Sequence, residues 1–114
     1  MILAELILDN MDQLRFCRIE GHSGAGTRGN DIVCAAVSVL ARTIVNILSD
    51  REDISVRVDA PERGNFLMEV DYKPAGRDFL TGAGCFLIEG LLSVQAEYPG
   101  HCKVSIERRN SYGT

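Results

Sequence analysis

The sequence predicts an α/β fold: one domain spanning residues 1–114, a sandwich with element order ββαββαβ. Three observations predict it. Five short β-rich runs alternate with a period of two. Two longer apolar segments repeat at spacings of three and four. Clusters of Asp, Asn, Pro and Gly separate the runs. The expected architecture is a five-stranded, mostly antiparallel or mixed sheet with two helices.

The elements follow in order. Residues 2–8 are β-rich and lead into the turn Asp9-Asn10-Met11-Asp12. In residues 13–20, Leu14, Phe16 and Arg18 alternate against Cys17 and Ile19, which predicts the second arm of a hairpin. A Gly-rich loop over 21–29 comes next. Residues 31–49 predict a helix with Val33, Val37, Leu40, Ile44 and Leu48 on one face. Ala35, Ala36, Ala41, Val45 and Ile47 make it apolar nearly all round, so it is expected to be largely buried. One polar line breaks that surface: Asp31, Cys34, Ser38 and Arg42, spaced three, four and four apart.

Residues 53–59 alternate as a strand through Ile54, Val56 and Val58, and 66–72 form the return strand after a turn at 60–65. The segment 78–98 predicts a second helix, with Phe79, Ala83, Phe86 or Leu87, Gly90, Val94 and Tyr98 facing inward. Pro99-Gly100 stops it. Residues 101–108 alternate Cys102, Val104 and Ile106 with polar residues, a half-buried last strand.

Twelve basic and sixteen acidic residues leave a formal charge of −4. This argues against general nucleic-acid binding, which depends on Lys and Arg neutralising phosphates. No stretch reads as long enough to span a bilayer. The start MILAELILDN carries Glu5 and Asp9 and reads as a strand rather than a signal peptide, so a cytoplasmic protein is expected. The four cysteines (Cys17, Cys34, Cys85, Cys102) contain no C-x-x-C pair, which disfavours zinc, and disulfides are not expected in a reducing compartment. Cys85 reads as packing and His101 as a solvated loop residue.

The stretch GHSGAGTRGNDIVCAAVSVLA, residues 21–41, admits three readings. Gly21, Gly24, Gly26 and Gly29 could simply make a flexible connection. A Gly-rich loop before a helix N-terminus could also bind phosphate, although the Gly-Lys-Ser/Thr of a P-loop and the dinucleotide G-x-G-x-x-G pattern are both missing. Or Cys34 could be a nucleophile. With Asn30 or Asp31 as N-cap, Cys34 falls in the first turn or just past it. The helix dipole there favours the thiolate by roughly 0.3–1 kcal/mol, less than one pKa unit. That is too little alone. An imidazole at His22 that takes the thiol proton would supply the rest. Asp31 is either a third member orienting His22 or a helix cap. Ser38 either hydrogen-bonds the site or its own helix backbone.

Gly21-His22, the Gly-rich stretch and Asp31-Ile32-Val33-Cys34-Ala35-Ala36-Val37-Ser38 resemble the ribosomal-processing cysteine protease family, Prp. The resemblance extends over the whole chain in length and element order. It implies two helices packed with a five-stranded sheet, in a homodimer. It implies removal of a short N-terminal extension from a bacterial large-subunit ribosomal protein, with no metal and no organic cofactor. By position, Cys34 becomes the nucleophile and His22 the general base, supported by Gly21, Asp31 and Ser38. Ser23, Gly24, Gly26, Arg28 and Gly29 fall in the implied substrate loop. Ser23 stands where many members carry a small apolar residue, and Arg28 is a further departure. Two rivals remain at this point: a non-catalytic ribosome-associated binding module, and a Cys/His acyl-transfer enzyme.

Overall fold

The structure is a computed structural model. It describes the backbone of residues 1–21, 28–62 and 64–110, and the side chains of these apart from residues 28–31 and 61–62. The elements are β1 (Ile2–Leu8), β2 (Leu14–Glu20), α1 (Arg28–Ser49), β3 (Ile54–Glu62), β4 (Asn65–Tyr72), a single 3-10 turn at Pro74–Gly76, α2 (Arg77–Glu97) and β5 (Cys102–Arg108). The strands form one sheet in the order β3-β4-β2-β1-β5. All neighbours are antiparallel except β1 and β5, which run parallel. The expected order and the mixed sheet are both present.

One face of the sheet carries the helices. Ile2, Ala4 and Leu6 of β1, Cys17 and Ile19 of β2, Met68 and Val70 of β4, Ile54 of β3 and Cys102 of β5 form the core with both helices. The other face mixes charged residues with Leu3, Ile7, Phe16 and Leu67, and Arg18 pairs there with Glu5 at 3.0 Å. In β2 the alternation differs from the expected one. Ile7 pairs with Phe16 but Leu8 pairs with Leu14, so Arg15 is an extra residue, a β-bulge. A one-residue shift moves side chains to the opposite face. Leu14 therefore joins Cys17 and Ile19 in the core instead of lying with Phe16 and Arg18.

The helices also depart from expectation. α1 buries Val33, Val37, Ala41, Ile44 and Leu48, but Ile32 is 44% exposed and Val39 53% exposed, so it is not largely buried. By length and composition both helices could cross a membrane, contrary to the expectation from sequence; each instead lays one side on the sheet. In α2 the buried residues are Leu80, Gly84, Leu87 and Leu91; of the expected inner face, Leu87 is buried and Ala83, Val94 and Tyr98 pack partly buried against the core, whereas Phe79 and Phe86 do not point inward. Aliphatic side chains fill the core, and Gly84 lets the helix sit against Leu14. Phe79 turns outward and stacks under the Arg51 guanidinium at 4.3 Å. Phe86 is 53% exposed. Gly90 marks the crossing with α1, where a Cβ would come within 2.8 Å of Leu40 Cδ2.

The β1–β2 turn is organised by a buried carboxylate. Asp9 accepts hydrogen bonds from the Met11 N–H (2.8 Å), the Gln13 N–H (3.0 Å), the Tyr72 hydroxyl (2.8 Å) and the Arg15 guanidinium (3.4 Å). Burial pushes its pKa up, but these donors outweigh that and hold it below the ordinary carboxylate range. An unfolded Asp titrates near about 3.9. The lowered folded value gives stability that is fully present above that pH and is lost as pH falls through the folded value. The melting temperature is therefore expected to drop as pH is taken below about 4. Asp9→Asn should lower it at neutral pH and flatten the acid limb, as thermal melts across pH would show.

Candidate active site

The site is built at the end of the sheet where β2 stops. Gly21 follows Glu20 with φ +116°, and its N–H donates to the Gly64 carbonyl at 3.0 Å. A Cβ at Gly21 would lie 2.3 Å from the Met1 carbonyl oxygen. Only glycine fits where the chain leaves the sheet. His22, Ser23, Gly24 and Gly26 lie outside the described residues.

The chain is helical from Arg28, so Arg28 and Gly29 belong to α1 rather than to the loop, and Asn30 and Asp31 lie within the helix rather than capping it. This moves Cys34 relative to the helix start. It is six residues beyond Arg28, about 9 Å along the axis and well past the first turn. The dipole effect falls off within the first turn, so its contribution at Cys34 is smaller than the sequence suggested. As the seventh residue of the described helix, Cys34 has its N–H in the i→i−4 ladder.

Cys34 is half-buried and packs against the core beside Val33 and Val37. Ser38 and Arg42, the next positions on the polar line, are exposed. Cys34 thus stands where the core meets the solvent-facing side of α1. The other cysteines differ. Burial pushes the Cys17 thiol up to about 12 and raises that of Cys102. Cys85 is exposed on α2, so it is not the packing residue the sequence suggested. All four are free thiols.

His101 lies in the turn before β5, as the sequence suggested, but it is not fully solvated. It is half-buried, its N–H donates to the Tyr98 carbonyl at 3.1 Å, and its carbonyl accepts from the Ile2 N–H at 2.9 Å. Gly64, Gly21, Met1 and His101 therefore follow one another across one end of the sheet. The β1–β5 parallel pairing brings His101 there, and nothing local in the sequence signals a pairing between the first and last strands. Among the described residues no three His, Cys, Asp or Glu side chains are grouped to hold a metal ion.

Comparison with known proteins completes the picture. The family model for cysteine protease Prp matches residues 1–103. Among solved structures, the protein SMU.848 of Streptococcus mutans superposes with a TM-score of 0.79 at 27% identity, covering 96% of each chain. The ribosomal processing protease Prp of S. aureus, in complex with a substrate peptide, superposes at 0.79 with 18% identity, covering 93% of this chain and 99% of that one. The same S. aureus protease with a covalently linked product peptide gives 0.78 at 19% identity, with the same coverage. No curated protein matches the sequence.

Proposed function

The chain belongs to the cysteine protease Prp family, and we propose that it removes the N-terminal extension of a bacterial large-subunit ribosomal protein, with Cys34 as nucleophile and His22 as general base and acid. The carrying observation is Cys34 itself. It is a free thiol anchored against the core yet placed at the edge of α1, whereas Cys17 and Cys102 are buried with raised pKa values. The S. aureus protease of this fold has been captured with a substrate peptide and with a covalently linked product.

The chemistry is acyl transfer. Cys34 Sγ attacks the scissile carbonyl while His22 accepts the thiol proton. The tetrahedral intermediate collapses as His22 gives that proton to the leaving amine. Water, deprotonated by His22, then attacks the thioester and releases the acid and the Cys34 thiol. With the Cys34 N–H engaged in the helix, oxyanion donors must come from outside its own turn. Gly21 sets the exit of the segment that bears His22. Ser38, one turn beyond Cys34, can hydrogen-bond substrate, and Asp31 is the candidate to orient His22. Ser23, Gly24, Gly26, Arg28 and Gly29 belong to the substrate-holding segment.

The partner is then a peptide and not nucleic acid, and the net charge of −4 suits a basic ribosomal protein. Four free thiols fit a reducing cytoplasm. A homodimer would cover exposed Ile32, Val39 and Phe86.

The test has two parts. Incubated with the extended ribosomal precursor, the protein should yield a single shortened product with a new N-terminus; an intact precursor overturns the substrate. In parallel, iodoacetamide should modify Cys34 faster than Cys85 at neutral pH, with Cys85 as internal reference and Cys17 and Cys102 protected. Equal slow labelling of Cys34 and Cys85 overturns the activated nucleophile.

A further inference from the structure

The geometry points to Gly64, in the tip of the β3–β4 hairpin, as a positioning residue of the active site: its carbonyl pins the last residue before His22 and so sets the base against Cys34. The inference rests on the Cys34–His22 reading above and adds what holds the base.

The β2–β4 ladder runs as far as Glu20 and Asn65. One step further, the Gly21 N–H donates to the Gly64 carbonyl at 3.0 Å. Gly64 itself lies in the loop between the paired Glu62 and Asn65, with φ +91°. Glycine adopts that φ freely and other L-residues do not. Just before the tip, the register shifts between Asp59 and Glu62, and Pro61 falls at the shift. A bulge of this kind bends the strand and re-aims its end, and proline is tolerated there. The hairpin tip is thus bent locally, and its carbonyl is given to β2.

The same hairpin lies beside the reactive cysteine. Cys34, Val37 and Leu40 follow one another at spacings of three, each step about 60° round the helix. Val37, in the middle, is buried. Leu40 meets Gly90 of α2, so Cys34 falls on the other flank, away from α2 and toward the side where α1 packs on β3. Cys34 precedes Leu48 by fourteen residues, about 21 Å at the helical rise. Ala60 follows Ile54 by six residues, about 20 Å at the strand rise. Leu48 and Ile54 are core residues on either side of the α1–β3 connection, so the Ala60 end of β3 comes level with Cys34.

One element therefore serves both members of the pair. It runs beside the cysteine, and at its tip it is bonded to the residue that precedes the histidine. His22 is one peptide bond beyond Gly21, so a shift of the Gly64 carbonyl passes to it directly. A misplacement of about 1 Å at a reacting group can cost about 100-fold in rate.

The test compares two glycines. Gly64 and Gly100 both lie in turns at this end of the sheet, with φ of +91° and +90°. Gly64 bonds to Gly21, whereas a Cβ at Gly100 would meet nothing within 4 Å. Gly64→Ala and Gly100→Ala should lower the melting temperature alike, by about 5–10 °C. Gly64→Ala alone should lower kcat for precursor cleavage, by about 10–100-fold with KM little changed. It alone should also raise the pH midpoint for iodoacetamide reaction at Cys34 toward the ordinary thiol value of about 8.5. Asparagine tolerates positive φ, so Gly64→Asn should show both effects in smaller measure; its comparison with Gly100→Asn decides the matter if an alanine variant does not fold. Equal kinetic effects at the two glycines overturn the positioning role. So do Gly64 variants that melt lower but keep the wild-type kcat and pH midpoint, or that change KM alone. The two readings fail separately. A low midpoint in wild type that persists in Gly64→Ala overturns the positioning role alone. A low midpoint that Gly64→Ala raises, in a protein that never cuts the ribosomal precursor, supports the positioning role and overturns the substrate assignment. A wild-type Cys34 that titrates like Cys85 overturns both the activated pair and its positioning.

Discussion

Cys34→Ala protein is expected to leave the extended precursor uncut, with a rate loss of at least about 10⁴-fold, because deleting a nucleophile removes the chemistry and leaves only binding. Little stability should go with it. Cys34 is only half-buried, and losing one sulfur there should cost on the order of 1 kcal/mol or less. A folded, inactive variant therefore separates reaction from scaffold. The position of Cys34 in α1 sharpens the expectation for its partner. Six residues beyond the start of the helix, the cysteine gains little from the dipole, so the proposed mechanism puts activation on the imidazole. His22→Ala should then do more than slow cleavage: it should bring alkylation of Cys34 at neutral pH down to the rate of Cys85. Were Cys34→Ala to cut the precursor at the wild-type site and rate, Cys34 would not be the nucleophile. Were His22→Ala to keep fast alkylation, the activating group would be another residue.

The parts of this fold that could be read from the sequence are those set by local pattern. Strands β1 and β4 and the core stripe of α1 followed from period two and from three-and-four spacing. What could not be read was set by contacts distant in sequence. The α2 segment offers two apolar stripes one residue apart, and both satisfy helical spacing. The choice of Leu80, Leu87 and Leu91 over Phe79 and Phe86 depends on Gly84 meeting Leu14 and on Arg51 receiving Phe79. The bulge at Arg15 is equally non-local. Its guanidinium reaches Asp9, the Val70 carbonyl (2.8 Å) and Asp71, partners on two other segments. At the site, Cys34 stood out because it lies on the one polar line of an apolar helix. The helix start was misplaced because Asn30 and Asp31 are good capping residues, yet the helix already includes them. His101 reaches the site's end of the sheet only through the β1–β5 pairing.

Gly21→Ala is expected to be the most damaging single methyl addition in the described structure, lowering stability by about 3 kcal/mol or more and impairing cleavage with it. Two causes act together. At φ +116° an L-residue is strained by about 1–3 kcal/mol. In addition, the new Cβ would stand 2.3 Å from the Met1 carbonyl oxygen, and that neighbour is backbone, not a flexible side chain. To relieve the clash, Met1 must move away from Gly21. Ile2 is held by its bond to the His101 carbonyl and Leu3 by its pairing with Glu20, so relief means unzipping the sheet end from which the His22 segment departs. Two other glycines separate the causes. Gly100→Ala has the strain (φ +90°) but no atom within 4 Å, and should cost about 1–2 kcal/mol without touching activity. Gly82→Ala has neither, lies within α2, and should stabilise by up to about 1 kcal/mol. Thermal melts and precursor cleavage of the three variants check the order. If Gly21→Ala melted no lower than Gly100→Ala, the contact with Met1 would carry no energy, and the glycine before His22 would need another explanation than the shape of the sheet end.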